Sequence, residues 1–119
     1  YRCVGEEAPR SIQEAVHGNV AETRSIYEWV VALCMRLGAS GHDLVPFEKY
    51  AAAAQQLTRP SSIARALLAG ATEVERVDRL VHRIGDQLGL NHHPEVARTV
   101  ELVDRWIGKN RNAQSPQVQ

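Results

Sequence analysis

Helix start and stop signals recur at short intervals along this chain, whereas patterns typical of β-strands are nearly absent. Ser11 and Thr72 are each followed three residues later by a glutamate, the spacing of a helix-capping box, and Asn19 is a further N-cap candidate. Glycines that can end a helix follow apolar runs at Gly38, Gly70, Gly89 and Gly108. Together these signals predict helices near residues 11–17, 20–37, 46–57, 61–69, 72–88 and 94–107.

The apolar side chains predict how these helices pack. Within 72–88 and 94–107 they recur every three or four residues, which places them on one face of each helix. Within 20–37 they nearly surround the helix, so this helix is expected to be covered on most sides. The predicted fold class is therefore all-α, a compact bundle of five to six helices around a central apolar helix at about 20–37.

Length and composition limit the classes of function that this chain is expected to have. The chain has 119 residues, the size of one domain, which we predict at 1–108 with a disordered polar tail at 109–119. Lys plus Arg and Asp plus Glu both number 14, so the basic excess of a nucleic-acid binder is absent. No apolar run approaches the roughly 20 residues of a transmembrane helix. Neither nucleic acid nor a membrane is therefore an expected partner.

The two cysteines do not suggest a disulfide scaffold. Cys34 lies in an apolar helical run and is expected to be a buried thiol, whereas Cys3 is expected to lie near a loose terminus. This cysteine usage favours the reducing cytoplasm as the location.

Motifs that would carry chemistry by themselves are missing. The sequence contains no HExxH, CxxC, GxSxG, GxGxxG or GxxxxGK[ST]. His92 and His93 are adjacent, so their side chains diverge. Asp78 and His82 are four residues apart and are expected to form a solvated ion pair rather than to bind a metal. We therefore expect no metal site and no cofactor-binding residue within this chain.

The segment 59–90 is the part of the chain that indicates a function. Ser61 and Ser62 open one predicted helix. Thr72 and Glu73 open the next. The simplest interpretation is structural, with an N-cap, a capping box and a first-turn carboxylate that the helix dipole favours. The chemical interpretation is that both helix starts converge on one cleft and offer hydroxyls, N–H groups and a carboxylate to an anionic substrate.

This arrangement resembles the helical C-terminal domain of the ketopantoate reductase family, in the 6-phosphogluconate dehydrogenase C-terminal-like superfamily. The similar features extend over about residues 20–107 and are Ser61-Ser62, the segment Thr72 to Glu75, the helix that runs to Gly89, and Pro94. In that family a separate Rossmann domain holds NADPH and the helical domain closes a cleft over a 2-oxo acid. The resemblance implies that Glu73 is the catalytic glutamate beside a general-acid lysine. It likewise implies that Ser62, with its neighbour Ser61, binds substrate.

Two functions follow as hypotheses. The resemblance implies the substrate-binding and dimerisation domain of an NAD(P)-dependent dehydrogenase that reduces a 2-oxo acid or similar small ketone. NADP would be bound by a domain outside this chain, the partners would be the small-molecule substrate and a second subunit of a homodimer, and the chain alone would be inactive. The alternative is a non-catalytic, small helical protein–protein interaction module. A GxGxxG motif upstream in the parent gene would favour the first, and a short reading frame beginning near Tyr1 would favour the second.

Overall fold

The computed structural model describes residues 1–114, and it is helical as the sequence predicts, with no strand in that range. The α-helices are α1 (Ile12–His17), α2 (Val20–Arg36), α3 (Phe47–Ala54), α4 (Ser62–Leu68), α5 (Val77–Gln87) and α6 (Pro94–Gln114). A short 3-10 turn at Gly41–Asp43 lies between α2 and α3. The predicted all-α bundle is confirmed. No helix within residues 1–114 is both long enough and apolar enough to cross a membrane.

Several helix ends follow the predicted local signals. The Ser11 hydroxyl accepts a hydrogen bond from the Glu14 amide at 3.1 Å, and the Asn19 side chain accepts one from the Glu22 amide at 3.0 Å. The positive-φ residues that end or follow helices are Gly38, Gly70 and Gly89. These positions adopt the left-handed conformation in which a Cβ atom would be strained, so the predicted role of glycine is confirmed there.

The predicted end of the last helix is wrong. Gly108 lies inside α6, which continues to Gln114. Residues 109–114 were expected to belong to a disordered tail, yet Asn110 is buried and its amide group donates to two backbone carbonyls. This tertiary anchor extends the helix past a local stop signal. The rest of the predicted tail, 115–119, lies outside the described residues.

The hydrophobic core is built on α6. Its buried members come from the N-terminal segment, α1, α4 and α6, and they are Cys3, Val4, Ala15, Ala64, Leu67, Leu102, Val103, Trp106 and Ile107. Val103 is fully buried, at 0% exposure. None of these core residues belongs to α2, so the central position that we expected for 20–37 is occupied by α6 instead.

The α2 helix is covered on only part of its circumference. Its buried residues are Thr23 and Leu33, and it contacts α1, α3 and α5. Apolar residues near its C-terminal end remain open to solvent, with Met35 at 52% and Leu37 at 59% exposure. An apolar pattern on all sides therefore did not mean burial on all sides.

The N-terminal segment is part of the core. Cys3 is 4% exposed, and the Trp106 indole donates a hydrogen bond of 2.6 Å to the Gly5 carbonyl. Cys34 is only partly buried. The more deeply buried cysteine is therefore Cys3 and not Cys34, the reverse of what we expected. The burial of Cys3 could not be predicted because the N-terminal segment has no apolar periodicity.

Candidate functional site

Ser61 and Ser62 lie at the start of α4. Ser61 is the N-cap, and its hydroxyl accepts a hydrogen bond from the Ala64 amide at 3.4 Å. The structural interpretation of Ser61 is thus confirmed. Ser62, the first helical residue, is exposed.

The second predicted helix start is wrong. Residues 71–76 are not helical, and α5 begins at Val77 rather than at Thr72. The Tyr1 hydroxyl accepts a hydrogen bond from the Val77 amide at 3.0 Å and donates one to the Glu75 carbonyl. A residue distant in sequence thus supplies a hydrogen-bond partner at the start of α5, four residues beyond the start predicted after Thr72. Glu73 consequently does not lie in the first turn of a helix.

A buried ion pair fixes the start of α5. The Arg76 guanidinium donates to both carboxylate oxygens of Asp78, at 3.0 and 2.9 Å, and to Asp104 on α6 at 2.6 Å. The Asp78 side chain is 3% exposed. The hydrogen bond to Asp78 raises the pKa of Arg76, partial burial opposes this, and the bond to Asp104 adds to the rise. Asp78 is therefore the partner of Arg76, and the ion pair expected between Asp78 and His82 is not formed.

Glu73 lines an open polar pocket of about 420 Å³, here called the Glu73 pocket. It is bounded by the segment before α5, the first turn of α5 and the last turns of α6. Its lining residues are Thr72, Glu73, Val74, Arg76, Arg79, Asp104, Ile107, Gly108 and Arg111. The carboxylate of Asp104 and the guanidinium of Arg76 bind each other across its wall.

Two arginines of the Glu73 pocket have no carboxylate partner. Within residues 1–114, neither Arg79 nor Arg111 forms an ion pair. Both side chains are exposed, as is Glu73. A guanidinium presents its N–H donors in a planar fork that matches a carboxylate or phosphate. The pocket therefore presents two guanidinium groups suited to a small anion beside the carboxylate of Glu73.

The structure does not bring the predicted site residues together. Glu73 and Thr72 line the Glu73 pocket. Ser61 lines a different one, an apolar groove of about 560 Å³ that also contains Arg2, here called the Arg2 groove. Ser62 lines neither of these two cavities. The convergence of two helix starts on one cleft is therefore not found.

The sequence reasoning missed the arginines that line the Glu73 pocket. Arg76 and Arg79 are three residues apart at the start of α5. Asp104 and Arg111 are seven residues apart, two turns along one face of α6. That spacing was the available signal, but which helix faces meet is determined by the tertiary fold.

Two histidines, His82 of α5 and His92 in the loop after it, lie close together. The rings of His82 and His92 are 5.0 Å apart, and His92 is hydrogen-bonded to Asp86. In the part of the chain that the structure describes, no group of three or more His, Cys, Asp or Glu side chains is arranged to hold a metal ion.

Comparison of the chain with family models, curated proteins and solved structures found no match.

Proposed function

We propose that this chain is the substrate-binding domain of an NAD(P)-dependent dehydrogenase that reduces a 2-oxo acid or a similar small ketone. One observation carries the proposal. The Glu73 pocket combines an exposed carboxylate with two arginines, Arg79 and Arg111, that have no ion-pair partner among residues 1–114. The resemblance of about residues 20–107 to the ketopantoate reductase family supplies the reaction class.

The chemistry of a 2-oxo acid fits these residues. The carboxylate of the substrate would bind to Arg79 and Arg111 through charge-assisted hydrogen bonds. Hydride transfer to the adjacent ketone creates an alkoxide, which requires a proton donor. Glu73 would position that donor or relay its proton. The proposal does not use Ser62, because Ser62 does not line this pocket.

The cofactor would come from another domain. Residues 1–114 contain no glycine-rich strand-to-helix turn of the kind that cradles a dinucleotide pyrophosphate. Because the Glu73 pocket is open on one side, a nucleotide-binding domain could cover it and bring the nicotinamide to the ketone. NADP and a cytoplasmic location belong to this proposal.

The second candidate is a non-catalytic protein–protein interaction module. Exposed apolar side chains at the end of α2 and in the following loop favour it, namely Met35, Leu37 and Val45. In a dehydrogenase the same side chains would serve the homodimer. The parent gene separates the two candidates, because a GxGxxG motif after a strand belongs only to the dehydrogenase.

A ligand titration tests the Glu73 pocket directly. Pyruvate is titrated into the isotope-labelled chain and followed by NMR, with acetone as the matched ketone that lacks a carboxylate. We expect pyruvate to shift the resonances of residues 72–79 and 104–111, and Arg111→Gln to weaken binding by about tenfold or more. Arg98→Gln, which alters an exposed arginine paired with Glu6, is the control. Shifts that are equal for acetone, or that lie elsewhere, would contradict the proposal.

A further inference from the structure

A second hollow adjoins the Glu73 pocket on the exposed face of α5. It has a volume of about 280 Å³ and is here called the Arg83 hollow. Its lining residues are Arg76, Arg79, Leu80 and Arg83. The first two of these also line the Glu73 pocket, so the two cavities are continuous along the helix. Among residues 1–114, no carboxylate lines the Arg83 hollow, and in this it differs from the Glu73 pocket.

The charged side chains of α5 that have no partner are both arginines. The two carboxylates of this helix, Asp78 and Asp86, each bind a side chain among residues 1–114. Neither Arg79 nor Arg83 forms an ion pair in that range, and both are exposed. The free charge on this helix is therefore positive and accessible to a partner.

Neighbouring charged groups leave the hollow open to an added carboxylate. Arg76 forms one wall, and because its guanidinium already binds two carboxylates, we assign it no further ligand. Glu73 and Glu75 precede α5 and form no ion pair within the described residues, but neither lines this hollow. A carboxylate that enters the hollow would therefore meet two free arginines and no competing acid within it.

The hollow also contains an exposed apolar side chain. Arg79 and Arg83 are four residues apart, so they are neighbours on the helix surface with Cβ atoms about 5–6 Å apart. Leu80 lines the same hollow and is 55% exposed. The methylene groups of the arginines enlarge the apolar surface around it. A small anion would leave Leu80 in water, whereas a segment with an apolar side chain between two carboxylates would cover it.

A protein segment suits this surface better than a nucleic acid does. Single-stranded nucleic acids bind through aromatic side chains that stack on the bases, together with a basic groove. Within the part of the chain that the structure describes, no aromatic residue lines the Arg83 hollow. Basic and acidic residues both number 14, so the chain has no overall basic excess either.

From these observations we propose that the Arg83 hollow is the docking site for an acidic segment of a partner protein. Carboxylates of that segment accept hydrogen bonds from Arg79 and Arg83, and an apolar side chain between them packs on Leu80. Because exposed ion pairs each contribute little, the complex is weak and needs both kinds of contact. The proposal does not require the Glu73 pocket to bind a 2-oxo acid.

The test compares three synthetic peptides of equal length. The first consists of four Glu-Leu-Glu repeats, the second has Gln in place of every Glu, and the third has Ala in place of every Leu. Each is titrated into the isotope-labelled chain and followed by NMR. We expect the first to bind saturably with a Kd below about 1 mM and shifts centred on residues 79–83. The other two should bind about tenfold more weakly. No saturation, shifts elsewhere, or equal affinities would overturn the proposal.

Matched variants locate the binding site. Arg83→Gln and Leu80→Ala alter exposed side chains and should each weaken the first peptide by about threefold to fivefold, with unchanged circular dichroism. The controls are Arg65→Gln and Leu68→Ala on α4. Arg65 is exposed and forms no ion pair within residues 1–114, and Leu68 is 56% exposed. Equal losses in the controls would show that binding follows total charge or apolar content and not this hollow.

Two further measurements separate this proposal from its alternatives. A single-stranded oligonucleotide with the same number of charges should bind more weakly than the first peptide, and tighter binding would refute a protein segment as the occupant. Arg111→Gln, which should weaken pyruvate, should leave the Kd of the peptide unchanged, because Arg111 does not line the Arg83 hollow. Loss of peptide binding in that variant would place the peptide in the Glu73 pocket. Arg83→Gln should likewise leave pyruvate binding unchanged, so either proposal can fail without the other.

Discussion

The indole ring of Trp29 lies directly against the α-carbon of Gly85. A Cβ atom built on Gly85 would be 2.7 Å from two carbons of the Trp29 ring and 3.9 Å from Leu33. The ring nitrogen also donates a hydrogen bond of 2.7 Å to the Asn91 carbonyl, beyond the end of α5. The absence of a side chain at Gly85 therefore determines how closely α2 and α5 approach each other.

We expect Gly85→Ala to lower the free energy of unfolding by about 1–3 kcal/mol. Alanine is the better helix former by roughly 0.5–1 kcal/mol, but overpacking against the rigid indole outweighs this gain. Urea denaturation measures the change. The control is Gly108→Ala, also inside a helix, where a Cβ would meet no atom within 4 Å. That variant should gain roughly 0.5–1 kcal/mol. A stabilised Gly85→Ala would mean that the helices can move apart freely.

A double-mutant cycle isolates this contact. Trp29→Ala removes the ring that Gly85→Ala would meet, so in that background the alanine should stabilise α5 instead of destabilising it. We expect a coupling energy of about 1–3 kcal/mol between the two positions. Additive effects in the cycle would show that the cost of Gly85→Ala arises elsewhere.

Asn110 joins the end of α4 to α6. Its side-chain amide donates to the Leu67 carbonyl at 2.9 Å and to the Ala71 carbonyl at 2.8 Å. Asn110→Ala leaves both carbonyls without this donor and should cost about 1–3 kcal/mol of stability. Asn112→Ala, on the exposed side of the same helix, should change stability by less than about 0.5 kcal/mol. Equal effects of the two variants in thermal denaturation would contradict the role of Asn110.

We expect substitution of Arg76 to lower the free energy of unfolding more than substitution of an exposed arginine does. Arg76→Met leaves Asp78 as an unpaired carboxylate with a side chain that is only 3% exposed. Loss of one partner of a buried pair costs about 3–5 kcal/mol. Arg105→Met, which breaks an exposed pair with Glu101, should cost at most about 1 kcal/mol. A small loss for Arg76→Met, measured by denaturant titration, would show that water reaches Asp78.

Glu73→Gln separates a catalytic role from a structural one. Glu73 is exposed and lies outside any helix, so its substitution should leave stability within about 0.5 kcal/mol of the original. In the parent enzyme that we propose, the same change should lower kcat by about 10²-fold, because it removes a group that supports proton transfer. The exposed Glu75, changed to Gln, is the neighbouring control. Unchanged turnover in Glu73→Gln would remove Glu73 from the mechanism.

Local signals in the sequence predicted the helices well where local contacts form their ends. Ser11, Asn19 and Ser61 each cap a helix as their residue types indicate. The start of α5 could not be predicted in this way, because its partners are distant in sequence: the Tyr1 hydroxyl accepts from the Val77 amide, and the Arg76 side chain binds Asp104 of α6. The same limit explains why Glu73 was assigned to a helix N-terminus.

Periodicity predicted the apolar faces but not their coverage. The stripe at Val96, Val100, Val103 and Ile107 indicated one buried face on α6, and Val103 and Ile107 lie in the core. The more strongly apolar α2 lies outside the core cluster that is built on α6. Hydrophobicity alone does not determine which element packs against a given helix face. The Arg2 groove and the arginines of the Glu73 pocket both arise where distant segments meet.

The bond between Trp106 and Gly5 has a consequence for synthesis. The two residues are 101 positions apart. At the usual rate of synthesis, 5–20 residues per second, about 5–20 s pass between the addition of Gly5 and the addition of Trp106. Throughout that interval Cys3 and Val4 have none of the α6 side chains that bury them. The nascent chain therefore cannot complete its core until α6 has left the ribosome. Premature termination before Trp106 should yield products that chaperones retain and proteases degrade.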